Sequence, residues 1–117
     1  DYISVVPIAP TRIAIVIVDA TGHGSSAAAI LGAVSGAEDA IDPDEVSPAR
    51  LLEALNWAMH ERCCLTGGAF ITAIVCVLDL KLFRLTTAIA GHPPPMVFRA
   101  GLPLLHDWPA GLPLGIA

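Results

Sequence analysis

The feature that most restricts the fold is an apolar run that stops abruptly on a carboxylate. Ile13-Ala14-Ile15-Val16-Ile17-Val18 carries no polar side chain and leads directly into Asp19-Ala20-Thr21-Gly22-His23-Gly24-Ser25-Ser26. An unbroken apolar run of this length, β-branched at all but Ala14, suits a strand covered on both faces. The alanine-rich stretch Ala27–Ala37 favours a helix capped by Ser25 or Ser26, although Gly32 weakens it. Strand, carboxylate, tight turn and helix start together deliver Asp19 to the rim of a sheet. There a metal ion or a phosphate can reach it, and the helix start adds unpaired N–H groups that favour an anion. Chemistry on a phosphate is the first expectation.

The rest of the chain alternates between similarly clear signals. Tyr2–Pro7 and Arg12–Val18 predict two strands joined by a turn around Ala9-Pro10-Thr11. Asp42-Pro43-Asp44-Glu45 reads as a solvated loop. Ser47-Pro48 then opens a second helix, with serine at the cap and proline at the first helical position. Leu51, Leu52, Leu55 and Met59 give that helix one apolar face, with Arg50, Glu53 and Arg62 largely off it. Thr66-Gly67-Gly68 ends the helical region. Phe70–Leu80 and Leu82–Ile89 predict two long strands with Asp79-Leu80-Lys81 as their turn. Gly91-His92-Pro93-Pro94-Pro95 is a rigid loop, because prolines fix φ and remove donors. Met96–Arg99 reads as a short strand turning at Ala100-Gly101 toward Leu104-Leu105, and Gly111–Gly115 follows. Two hairpins flanking a helical pair predict an α+β fold with antiparallel strands rather than alternating βαβ units.

Composition narrows the function classes. The 117 residues make one domain or part of one, and 55% hydrophobic against 15% charged excludes disorder. Net charge is −5, and Arg12, Arg50, Arg62, Lys81, Arg84 and Arg99 lie scattered, so no nucleic-acid footprint is present. The apolar runs have strand length, well short of the ~20 residues of a spanning helix, so no membrane span is expected. Cys63, Cys64 and Cys76 form no Cys-x-x-Cys pair, which fits reduced thiols and a cytoplasmic setting. The chain opens at Asp1 rather than methionine and reads as a piece of something longer.

Asp1 and Asp19 are the leading candidates for chemistry. One begins the first strand and the other ends the second, so antiparallel pairing sets them side by side. Two carboxylates brought together repel, and a shared divalent cation relieves that repulsion. The plainer reading is a strand-terminal residue and a turn aspartate. A nucleotide cradle at the Asp19 turn lacks the lysine and spacing of a P-loop. His92 is oriented at little entropic cost by the prolines after it, which suits a residue lining a site; otherwise it is a structural turn. Thr72 sits in an apolar strand, where its hydroxyl needs a partner. His23 lies between glycines at a sharp, exposed bend. His60 and His106 read as surface positions. Ser25 and Ser26 lack a nucleophile elbow, and Cys63, Cys64 and His60 lack the second ligand pair of a zinc site.

Five segments in one order then line up with a family. Asp1-Tyr2, Asp19-Ala20-Thr21-Gly22-His23-Gly24, Phe70-Ile71-Thr72, Ala90-Gly91-His92-Pro93-Pro94-Pro95 and Leu112-Pro113-Leu114-Gly115 resemble the SpoIIE-like branch of the metal-dependent PPM-type serine/threonine phosphatases. The resemblance covers the whole chain, 1–117, as the N-terminal portion of such a domain, incomplete at its C-terminus. It implies an antiparallel β-sandwich flanked by helices in α-β-β-α layers, with two Mn2+ or Mg2+ ions at one end. It matches Asp1 and Asp19 to metal-binding, catalytic aspartates and Ala20 to a ligating backbone carbonyl. Gly22, His23, Gly24, Thr72 and His92 then line the site.

The implied activity is hydrolysis of a phosphoserine or phosphothreonine monoester by a metal-activated water. The implied partner is a phosphorylated regulatory protein, an anti-anti-sigma factor of STAS type, in sigma-factor signalling. Three departures bear on this. The family's later Thr-Asp-Gly stretch and final aspartate are absent, Ile89 stands where relatives carry asparagine, and Ser4 stands where many carry an acid. A catalytically degenerate module acting in binding or regulation is the rival expectation. Apolar edges and faces left uncovered further suggest self-association as a homodimer.

Overall fold

The structure is a computed structural model that describes residues 1–20, 32, 35, 36, 39, 42, 46–62 and 70–116. The expected helix over Ala27–Ala37 and the Thr66-Gly67-Gly68 stop lie almost wholly outside the described residues, with Gly32, Ser35, Gly36 and Asp39 helical.

Four strands form one antiparallel sheet in chain order: β1 (Tyr2–Ala9), β2 (Arg12–Ala20), β3 (Ile71–Asp79) and β4 (Arg84–Ala90). The apolar run Ile13–Val18 therefore lies inside the sheet, between β1 and β3. Register is fixed by Val16↔Val75 and Val18↔Ala73 on one side and Tyr2↔Val18 on the other. Directly paired residues share a face, so Ala14, Val16 and Val18 line up with Val77, Val75 and Ala73. All six are buried.

The helix Pro48–Arg62 covers that face. Ser47 starts it as the serine-proline signal predicts. Its Oγ accepts the Arg50 N–H at 3.3 Å, and its carbonyl accepts the Leu51 N–H at 3.0 Å. Leu51, Leu55, Ala58 and Met59 bury against Val16, Val18, Ala73 and Val75, with Leu52 at the margin. Each large side chain sealed there contributes about 1.5–3 kcal/mol. At the far end of the sheet, Arg12 Nη2 donates to the Val46 carbonyl at 3.1 Å and ties the segment before the helix to β2.

The other face carries Ile3, Val5, Ile13, Ile15, Ile17, Ile74, Cys76 and Leu78. A second, two-stranded sheet, β5 (Phe98–Arg99) with β6 (Leu102–Pro103), follows this layer. Leu78 and Leu85 share one open cavity with Val97, Arg99, Leu104 and Trp108. The architecture is the expected α+β, a four-stranded antiparallel sheet with a helix packed on one face and a separate two-stranded hairpin. Ile3 and Val5 on the edge strand stay 67% and 62% exposed.

Two turns differ from expectation. The β3–β4 turn runs through Phe83, not Lys81, because the Asp79 carboxylate accepts the N–H groups of both Lys81 and Leu82 at 2.9 Å. That capture curls the chain before the strand can resume and leaves Phe83 at φ +51°. The last hairpin pairs Phe98 with Pro103 and Arg99 with Leu102, closer to the turn than Leu104-Leu105. The Leu104 N–H adds one rung to the Val97 carbonyl at 2.7 Å. Ala100 and Gly101 both take positive φ, +50° and +77°, as a two-residue hairpin turn of the primed type requires.

Candidate functional site

The end of the sheet at which β2 stops collects the residues singled out in the sequence. Asp19 stands directly opposite Thr72 in the β2–β3 ladder, and Ala20 opposite Ile71. On the other side the β1–β2 ladder ends at Tyr2↔Val18, with Asp1 the residue just before the strand. Strand alternation then gives Asp19 and Thr72 the same face, the one the helix does not cover. Asp1 and Asp19 are exposed. Ala20 closes β2 one residue beyond the reach of β1. Ser4 pairs with Val16 on the helix side, so the position where many relatives carry an acid faces away from Asp19.

His92 joins this group through a direct contact. Its Nδ1 lies 3.0 Å from Thr72 Oγ1 in a half-buried hydrogen bond. The backbone before it is locked. Gly91 sits at φ +65°, and a Cβ there would lie 2.5 Å from Pro113 Cγ, so only glycine fits. The Gly91 N–H donates to the Gly111 carbonyl at 2.9 Å, and the Gly111 N–H donates to the Ile89 carbonyl at 2.8 Å. Ile71 and Leu114 exchange N–H···O bonds of 3.1 and 2.8 Å. The Gly115 N–H donates to Asn56 Oδ1 at 2.8 Å. The Ala90–Pro95 and Leu112–Gly115 segments are thus one packed unit, fastened to β3, β4 and the helix.

Behind the Asp19–Thr72 layer lies an apolar one. Ile74, two residues along β3 from Thr72, pairs with Ile89, and both are buried. Ile89 therefore adds a buried apolar side chain on the same face of the sheet as Thr72.

Gly22, His23 and Gly24 lie outside the described residues, as do Ser25, Ser26, Cys63 and Cys64. His60 is exposed on the helix, and His106 is exposed with its ring edge-on to Trp108 at 4.3 Å. Among the described residues no three His, Cys, Asp or Glu side chains cluster as a metal set. What the sheet end offers is two carboxylates and a carbonyl, all hard oxygen donors, which is the chemistry Mg2+ and Mn2+ take. Asn56 and Gly111 escaped the sequence reading. Asn56 breaks no helical pattern, and nothing in Gly111 announces its bond to β4. Among the described residues no helix is long and apolar enough to cross a membrane.

Comparison with known proteins bears on the family and the fold. The model for Stage II sporulation protein E (SpoIIE) matches residues 9–117. A search of curated proteins found no match. Among solved structures, the RsbU and RsbW domains of Rv1364c from Mycobacterium tuberculosis superpose with a TM-score of 0.79 at 25% identity, covering 97% of this chain and 32% of that one. A Stage II sporulation E family protein from Thermanaerovibrio acidaminovorans superposes at 0.62 with 22% identity, covering 87% of this chain and 50% of that one, a likeness of fold. The chain thus spans half or less of the length of either. With the family model matched over residues 9–117, the chain belongs to the SpoIIE family.

Proposed function

We propose that this chain is the N-terminal portion of a phosphatase domain that hydrolyses a phosphoserine or phosphothreonine monoester on a regulatory protein. The observation that supports the reading is the register at one end of the sheet, which pairs Asp19 with Thr72, with His92 bonded to Thr72. The Asp1 and Asp19 carboxylates and the Ala20 carbonyl would hold Mn2+ or Mg2+. The chemistry such an ion supplies is activation of water and neutralisation of phosphate charge. Asp1 and Asp19 would contribute the negative charge, with Asp19 carried near the end of the β2–β3 pairing. The buried Ile74–Ile89 pair keeps water from behind the reacting layer.

The partner in this reading is a phosphorylated STAS-type anti-anti-sigma factor in the cytoplasm, supported by family membership and by the RsbU likeness. A homodimer belongs to the same reading, supported by the exposed Ile3 and Val5 of the edge strand. The test is Mn2+-dependent hydrolysis of a phosphoserine peptide by the full-length protein beside its Asp19→Ala variant. Loss of turnover in the variant is expected, and equal activity in both removes Asp19 from the chemistry.

The rival reading, a degenerate module that binds without turnover, is favoured by Ile89, whose side chain offers the site no polar atom. It predicts no hydrolysis by the wild-type protein and retained binding of the phosphorylated partner.

A further inference from the structure

We propose that Thr72 and His92 form a phosphate-recognising pair. The Thr72 hydroxyl donates to His92 Nδ1, and the imidazole offers its Nε2–H to a non-bridging oxygen of the phosphoryl group held beside Asp19. The inference rests on the hydrolase reading above and names which group of this chain reads the phosphate.

Four observations converge on the imidazole. Thr72 is the direct cross-strand partner of Asp19, and such partners hold their Cβ atoms about 4.5–5.5 Å apart. A ring bonded to Thr72 Oγ1 at 3.0 Å is therefore about one side chain from the Asp19 carboxylate. The ring is tied at Nδ1 only, and among the described residues nothing engages Nε2.

The backbone on both sides is fixed. Gly91 is locked at φ +65° against Pro113, and Pro93 restricts the conformations open to His92 itself. A loop that merely reverses direction needs neither lock. Finally, the buried Ile74–Ile89 layer beneath the pair strengthens a hydrogen bond made to a charged oxygen. A donor whose orientation is set in advance loses little when its acceptor arrives, which is what anion recognition requires.

Thr72 is a positioning residue here, because it acts through His92. An Nδ1 that accepts a hydrogen bond from the hydroxyl carries no proton, so the neutral ring is the Nε2–H tautomer. That tautomer can be read directly.

The experiment has two arms. In the first, 15N NMR of the imidazole nitrogens follows His92 with Mg2+ present, before and after inorganic phosphate. The expected result is a bare Nδ1 and a protonated Nε2 whose resonance moves on phosphate addition. Thr72→Val should abolish the tautomer preference, and Thr72→Ser should retain it. A ring protonated at Nδ1, or an Nε2 signal indifferent to phosphate, overturns the proposal.

In the second arm, the full-length protein is assayed on a phosphoserine peptide with phosphate as competitive inhibitor. His92→Ala should lower kcat/KM by about tenfold or more and weaken phosphate inhibition by the same factor. His92→Gln, which can replace the Nε2 donor, should stay within about threefold, while His92→Asn should behave as the alanine variant. Circular dichroism confirms that each variant is folded. If Asp19→Ala is inactive while His92→Ala keeps wild-type phosphate inhibition, this pair is wrong and the hydrolase reading stands. If Asp19→Ala retains full activity, the hydrolase reading itself fails.

Discussion

Replacing Gly91 with alanine tests whether the loop that aims His92 is held as tightly as its geometry implies. Two separate costs meet at this position. Alanine in the left-handed region costs about 1–2 kcal/mol. The added methyl would also sit 2.5 Å from Pro113 Cγ, 2.9 Å from its Cδ and 3.1 Å from its nitrogen. Those are ring and backbone atoms with little freedom to retreat, and forcing a methyl into such a space costs about 1–3 kcal/mol more. The sum is about 2–5 kcal/mol, or about 8–20 °C in Tm at about 4 °C per kcal/mol for a domain of this size.

Gly101 supplies an internal control. It has a similar φ of +77° but nothing within 4 Å of its missing Cβ, so Gly101→Ala should cost only the first part, about 1–2 kcal/mol. Urea unfolding followed by circular dichroism measures both variants, and unchanged m-values confirm that only stability has moved. Pro113→Ala in the Gly91→Ala background should recover part of the loss, because it removes the ring atoms of closest approach. Equal losses for Gly91→Ala and Gly101→Ala would refute the close-packing argument, whatever the absolute values.

Three further substitutions follow from the same contacts. Ser47→Ala removes the oxygen that accepts the Arg50 N–H and should cost about 1 kcal/mol in urea unfolding. Asn56→Ala deletes the acceptor of the Gly115 N–H and should cost about 1–3 kcal/mol, with faster amide exchange at Gly115 as the local signature. Ala100→Asn keeps the positive φ of the last hairpin with a residue that tolerates it, and a gain of up to about 1 kcal/mol in thermal unfolding is expected.

The strands were legible because their apolar runs obey strand length and alternation, and Ser47-Pro48 announced its helix because cap and first-turn chemistry are local. The pairing of β1 with β2 was legible for the same reason, since a short hairpin fixes its own register. The meeting of Asp19 with Thr72 was not, because the β2–β3 register is set by packing Val16, Val18, Ala73 and Val75 beneath a helix that lies between those strands in sequence. The turn at Phe83 was misplaced because Leu82 and Phe83 have strand propensity, which the Asp79 carboxylate overrides. Asn56 was invisible to a reading tuned to apolar periodicity. The bond from Thr72 to His92 joined two residues each noticed alone.

The fastening of the His92 loop by residues 111–115 has a consequence for how the protein is made. Asn56 and Gly115 are 59 positions apart, and Pro113 reaches Gly91 only after the whole β5–β6 hairpin has emerged. During translation the sheet and helix can assemble while His92 still swings, and the ribosome must release the Leu112–Gly115 stretch before that ring is aimed. Synonymous codon changes that slow elongation through the hairpin would lengthen this interval without altering the finished fold.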